Sequence, residues 1–177
     1  MKKVKEFYML ATFLAMVVLF SSSCKDKDDD PLLPDYVGTW VAIESLPTEA
    51  GTVQIKDIMT FTEKSFTDVG KLQVSTNYWI DLVSMKGTLS VNGNIMKFTV
   101  TEVGMSAFSE VTGFPTGVME THSKGSAEFD SLLEEVGQPA IFESEYIVAG
   151  NKLTLKTDNN EDGDFEDEME ITVYTKQ

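Results

Sequence analysis

The chain contains no arginine. Bidentate recognition of a carboxylate or phosphate therefore lacks its usual tool, and a lysine can meet an anion only as a point charge. Cysteine occurs once, at Cys24, so there is no intrachain disulfide. Histidine also occurs once, at His122, and a zinc site built from several thiolates or imidazoles is excluded. A serine hydrolase triad would have to use that single histidine, and no Gly-X-Ser-X-Gly elbow accompanies it. No glycine-rich phosphate loop is present. Carboxylates are plentiful enough to supply a glycosidase pair, but abundance is not a constellation. The expectation is a non-catalytic protein.

Basic residues are also in short supply. Fourteen lysines face 29 acidic residues, for a net charge of −15. Such a balance argues against nucleic acid and against electrostatic docking on anionic lipid. It favours solubility, cationic partners or a divalent metal.

An apolar run long enough to span a bilayer is missing too. The uncharged stretch from Phe7 to Phe20 falls short of the roughly 20 residues that spanning takes. It follows Met1-Lys2-Lys3-Val4-Lys5 and precedes Ser21-Ser22-Ser23-Cys24. A basic start, a short apolar segment and small residues before a cut site form a secretory signal. The run Leu19-Phe20-Ser21-Ser22-Ser23-Cys24 resembles a lipobox, the recognition site of lipoprotein signal peptidase, although Ser21 stands where the strict pattern has leucine. The resemblance implies that residues 1–23 are removed and that Cys24 becomes the lipid-modified N-terminus. Acyl chains then tie the protein to a membrane, each buried CH₂ contributing about 0.8 kcal/mol. Residues 24–34 read as a charged tether. Lys25-Asp26-Lys27-Asp28-Asp29-Asp30-Pro31 cannot pack as a core. That run also resembles the acidic surface-export signal of some Gram-negative lipoproteins. The implied address is the outer membrane of a Gram-negative bacterium, on the cell surface, with the periplasmic face as the alternative.

Residues 35–177 read as one domain without repeats or internal linkers. The apolar pattern has mostly period two, the mark of half-buried strands. Trp40 and Ala42 alternate with Val41 and Ile43, and Met59 and Phe61 sit in a threonine-rich strand. Leu72, Val74, Tyr78, Ile80 and Leu82 fall on one face of 71–83, read as a single strand. Leu89 and Val91 lead into Asn92-Gly93, a hairpin signal, and Met96, Phe98 and Val100 return from it. Phe142, Tyr146 and Val148 precede a second turn at Gly150-Asn151, and Leu153 and Leu155 follow. Phe165, Met169, Ile171 and Val173 mark the last strand. One segment departs from this period. Phe129, Leu132, Leu133 and Val136 have helical spacing, which predicts a helix over 127–136, with Ser126 as its cap and Gly137 and Pro139 ending it. Eight or nine antiparallel strands must bury one face, and closing the sheet removes its edges. The predicted fold is all-β, a small antiparallel up-and-down barrel with one short helix. An open sandwich is the second choice.

Tyr36-Val37-Gly38-Thr39-Trp40 resembles the Gly-X-Trp motif at the first strand of lipocalins. The segments 87–94, 146–155 and 173–177 are similar to the hairpins and ending of bacterial lipocalin-like lipoproteins. The resemblance implies a lipocalin-like barrel in which Gly38 allows a tight strand entry and Trp40 plugs one end. It also implies an arginine from the last strand over that tryptophan, which this sequence does not contain.

The functional expectation is a membrane-anchored, non-catalytic binding module holding a small apolar or amphipathic ligand. The alternative is a surface adhesion or assembly subunit with a solid barrel, acting through an irregular loop at 104–118 rich in Gly104, Gly113, Pro115 and Gly117. His122 reads as a surface-loop residue. Of the adjacent Tyr78 and Trp79, one is expected in the core and the other outside as a contact for a sugar or apolar partner. Met59, Met85, Met96, Met105, Met119 and Met169 can fill a core or line an adaptable cavity. Finally, Asp158, Asn160, Asp162 and Asp164, with Gly163, match the front of an EF-hand loop and form a candidate calcium site. Met169 stands where such a loop places its bidentate glutamate, and a solvated hairpin turn is the competing reading.

Overall fold

A computed structural model describes residues 33–48, 51–158, 165 and 170–177. Residues 1–32, and with them the signal segment, Cys24 and most of the tether, lie outside the described residues, as do Asn160, Asp162, Asp164 and Met169.

Among the described residues, nine strands and one helix make up the domain. They are β1 (Gly38–Thr48), β2 (Gly51–Phe61), β3 (Ser65–Ser75), β4 (Tyr78–Asn92), β5 (Ile95–Phe108), β6 (Pro115–Ser123), α1 (Ala127–Val136), β7 (Ile141–Ala149), β8 (Lys152–Thr157) and β9 (Ile171–Lys176). Every pairing is antiparallel, and β4 pairs with β5 as well as with β3. Eight strands therefore close in the order β1-β2-β3-β4-β5-β7-β8-β9, and β9 returns to β1. The fold is a lipocalin-like, all-β closed barrel. β6 is the ninth strand and stands outside the ring. The lower half of β5, from Ile95 to Thr99, pairs with β7, and its upper half pairs with β6. α1 links β6 to β7 and sends Phe129 and Leu133 into the core.

The predicted helix and both glycine-bearing turns are observed. Gly137 ends α1 in the left-handed region, where its N–H donates to the Glu134 carbonyl and that of Gln138 to the Leu133 carbonyl. This is the double bond of a Schellman motif. Ser126 occupies the N-cap position, but its hydroxyl makes no capping bond. Gly93 and Gly150 take the positive φ that a tight hairpin demands.

Four expectations need correction. Residues 71–83 are not one strand, because Thr76-Asn77 turns the chain between β3 and β4. The stretch 104–118 is not a loop. β5 runs on to Phe108 and β6 begins at Pro115, so only 109–114 is irregular. Gly104 belongs in a strand because a side chain there would crowd the Ser84 hydroxyl and the Thr121 methyl. His122 is accordingly on β6, opposite Val103, rather than in a loop. The last strand is also shorter than expected and starts at Ile171, leaving Phe165 before it.

The inner face is best read as rows across β1 to β5. The row at one end is Gly38, Phe61, Phe66, Gly87 and Val100. Two phenylalanines fit there because glycines flank them. A Cβ at Gly87 would lie 2.0 Å from the Thr99 carbonyl oxygen and 2.7 Å from the Phe66 ring. The next row is Trp40, Met59, Asp68, Met85 and Val103. The third is Ala42, Asp57, Gly70, Val83 and Met105. Acidity thus appears in the second row, and side-chain volume is smallest in the third.

Candidate functional site

The end where β1 begins is sealed. Trp40 is 0% exposed, and its indole N–H donates to the Tyr36 carbonyl at 2.7 Å. Tyr36 meets Phe61 and Tyr146 edge-on, and Phe98 stacks on Phe142 at 4.6 Å between ring centroids while receiving the Phe66 edge. Each such fully buried side chain contributes about 1.5–3 kcal/mol by leaving water. Lys176 of β9 lays its ammonium 5.0 Å from the centre of the Trp40 ring. It takes the place that the lipocalin resemblance gives to an arginine. Gly38, at φ +134°, makes room for it, since a Cβ there would touch Lys176 Cε at 3.0 Å. Gly38 and Trp40 are therefore brought together, with a partner that the sequence reading missed. The signal was available, because Lys176 is a cation at the end of the last strand.

The other end contains a cavity with two lobes. The inner lobe, about 190 Å³, is lined by Asp57, Asp68, Phe98, Phe142, Glu170 and Tyr174 among others. The outer lobe, about 300 Å³, adds Glu44, Ile55, Gly70, Val83 and Val136. Asp57, Asp68, Met85, Gln138 and Thr172 line both lobes. Gly70, beside Asp57 in its row, lines the outer lobe and leaves space there.

At the junction of the lobes the Tyr174 hydroxyl donates to Asp57 Oδ2 at 2.6 Å. Burial, the nearby Asp57 and the hydrogen bond between them hold the Asp68 carboxyl well above the usual carboxylate range. Asp68 is thus the protonated partner and donates to Asp57. Burial raises the Tyr174 hydroxyl as well, and Asp57 reinforces the effect. Asp57 Oδ1 and Asp68 Oδ1 are shut off from solvent and, apart from the proton the two acids share, have no hydrogen-bond partner in the protein. Higher up, the Ser144 and Thr157 hydroxyls bond at 2.7 Å. No lysine lines either lobe.

The remaining candidates are dispersed. Met59 and Met85 line the inner lobe, Met96 is fully buried in the core, and Met105 lines a separate cleft of about 240 Å³ with His122, Leu132 and Glu135. Neither Tyr78 nor Trp79 joins the buried core. Tyr78 is 60% exposed, and Trp79 carries the Lys56 ammonium 4.2 Å from its ring centre. The open end also bears exposed apolar side chains on its hairpins, among them Val74, Phe108, Val111 and Phe114. Asp158 follows β8 directly, whereas its three proposed calcium-binding companions lie outside the described residues. Among the described residues no group of three or more His, Cys, Asp or Glu side chains is arranged to hold a metal, and no helix is long and apolar enough to cross a membrane. No protein-family model matches this chain, and no curated protein matches it.

Proposed function

We propose that this protein is a lipid-anchored, non-catalytic binding module whose barrel takes a small amphipathic ligand. The observation that carries the reading is the two-lobed cavity, closed below by aromatic rings and reached from the end opposite Trp40. Binding sites combine apolar walls with a few convergent polar groups, and here Met59, Met85, Phe98 and Leu155 surround Asp57, Asp68 and Tyr174. The lobes are at or below the roughly 300–1,000 Å³ of sites for drug-sized molecules, so the ligand is small. The anchor is Cys24, and the address is the outer membrane, on the cell surface. A solid barrel working only through its loops fits this cavity poorly. The exposed Phe108, Val111 and Phe114 on the β5–β6 hairpin nevertheless favour a second role in surface contact.

Two measurements test the reading. Fatty-acid labelling in a Gram-negative host should mark the wild-type chain and not Cys24→Ala; an unlabelled wild type removes the anchor. Native mass spectrometry of the full chain from its own host should show a retained small molecule, and enlarging Ala42 to Leu should expel it. Retention by Ala42→Leu as by wild type would take the ligand out of the barrel. The acidic turn at 158–164 is a candidate calcium site, and a rise in melting temperature in millimolar calcium, absent from Asp158→Ala, is its signature.

A further inference from the structure

The interior acids are costly to maintain. A closed barrel of this size could fill the third row with aliphatic side chains, yet it places Asp57 and Asp68 diagonally across β2 and β3. Asp68 sits in its row between Met59 and Met85, so no neighbouring strand offers it a cation. The lysines of these strands point the other way. Lys56 covers Trp79 and Lys71 pairs with Asp81, both on the outer surface. The Tyr174 hydroxyl donates to Asp57 Oδ2, and the two acids share a single proton. Apart from that proton, Asp57 Oδ1 and Asp68 Oδ1 have no donor in the protein at the junction of the two lobes. Buried acceptors are nearly always satisfied in native proteins, so two acids facing a cavity with one proton between them have room for further donors from outside.

Resting on the binding-module reading, we infer that the barrel recognises a small primary amine carrying an apolar or aromatic body, with its ammonium group seated on the Asp57–Asp68 pair. An ammonium brings three N–H donors and a positive charge. It can donate to both acids and replace the proton that otherwise joins them. Glu44 adds a further carboxylate to the lining, and among the described residues no lysine lines either lobe. The apolar body has matching walls in Met59, Met85, Phe98 and Phe142, whose rings and thioethers also suit a neighbouring cation. An anion or a neutral apolar molecule of the same size would leave the acids unpaired and lose this advantage.

The exchange has a balance that can be measured. In the empty barrel Asp68 carries a proton, held there by burial and by Asp57. When the ammonium enters, that proton leaves for solvent, so about one proton is released per amine bound. Among the described residues lining the lobes with Asp68, the titratable groups are Glu44 from β1, Asp57 from β2, and Glu170 and Tyr174 from the segment ending in β9; the lining side chains from β4, β5, β7 and β8 are uncharged. Over the range in which Asp68 is protonated, the dissociation constant should fall by about tenfold per pH unit.

Phenethylamine, 2-phenylethanol and 3-phenylpropionate share a ring and differ in charge. Calorimetric titration of the full chain with each, in buffers of different ionisation enthalpy, separates the outcomes. The inference expects phenethylamine to bind at least tenfold more tightly than either of the others and to release about one proton. Asp57→Asn and Asp68→Asn should each remove that preference. The proton count on wild type needs no variant, so a folding defect in either variant leaves the test intact. Equal binding of the alcohol and the amine without proton release would overturn the inference and leave an ordinary amphipathic site. Failure of all three probes to bind would overturn the inference together with the binding-module reading.

Discussion

The two ends of the barrel use the same strands for opposite purposes. At the sealed end, Trp40, Phe61, Phe98 and Leu153 are at most 2% exposed, and every ring meets another ring or a cation. Two rows higher, alanine and glycine stand where bulk would fit, and the space is lined by acids. Apolar burial stabilises the first region. In the second, carboxyls are withdrawn from water without a protein cation to compensate them, which lowers stability. The difference teaches where selection for folding ends in this molecule: stability is concentrated at the Trp40 end, and the opposite end is kept open and acidic at some cost to it.

The strongest way to break this comparison is at the sealed end. Trp40→Ala should cost about 3–5 kcal/mol, the usual range for emptying a fully buried aromatic site, read from the midpoint of urea unfolding. A loss under about 1 kcal/mol would mean that the plug does not carry the fold.

Asp68→Asn should act in the opposite sense. The folded carboxyl titrates above its unfolded value of about 3.9. The native state therefore holds its proton more tightly than the unfolded chain does. The resulting contribution is complete below about pH 4 and is lost as pH rises through the folded value. Asparagine cannot ionise, so the variant should match or exceed wild type at pH 8. A gain of roughly 1–3 kcal/mol is expected there, the scale of a relieved buried polar group, and the wild-type decline in melting temperature as pH rises above about 4 should flatten. A destabilised variant at pH 8 would show that the acids support the fold instead of taxing it.

The smallest effect is expected at Lys176. Lys176→Met keeps the aliphatic stem beside Gly38 but removes the charge above Trp40, and should cost about 0.5–1 kcal/mol. A loss as large as that of Trp40→Ala would mean that the lysine, and not the indole, organises this end.

Much of the sealed end was legible in the sequence. Gly38 and Trp40 stand out, the alternation of Met59 with Phe61 and of Met96 with Phe98 marks inward faces, and the 3.6-residue spacing from Phe129 to Val136 delimits α1. The open end was far less so. Parity alone places Asp57 on the face of Met59 and Phe61, and Asp68 on the face of Phe66, so the burial of each acid had a local signal. Their meeting depends on the register of β2 against β3, which local alternation does not encode. The stretch 104–118 misled for a related reason. Glycine in a sequence suggests a turn, whereas Gly104 serves the close approach of Ser84 and Thr121 from neighbouring strands. The break between β3 and β4 was missed because Thr76-Asn77 lacks glycine and the alternation resumes in phase after it.

The seam between β1 and β9 bears on when the molecule can finish folding. β1 meets β2 along eleven residue pairs but meets β9 along only two, Trp40 with Lys176 and Val41 with Thr175. Lys176 also reaches back to the Asp35 carbonyl across 141 positions of chain. Hairpins such as β1–β2 and β4–β5 can form as soon as their own residues emerge, whereas this ladder must wait for Lys176, 141 positions beyond Asp35. Contacts so distant in sequence slow folding, because the entropy of closing the loop is lost before any contact rewards it. Until then, β1 presents an unpaired edge beside an uncovered tryptophan, so the nascent chain passes through its most aggregation-prone interval just before the ring shuts.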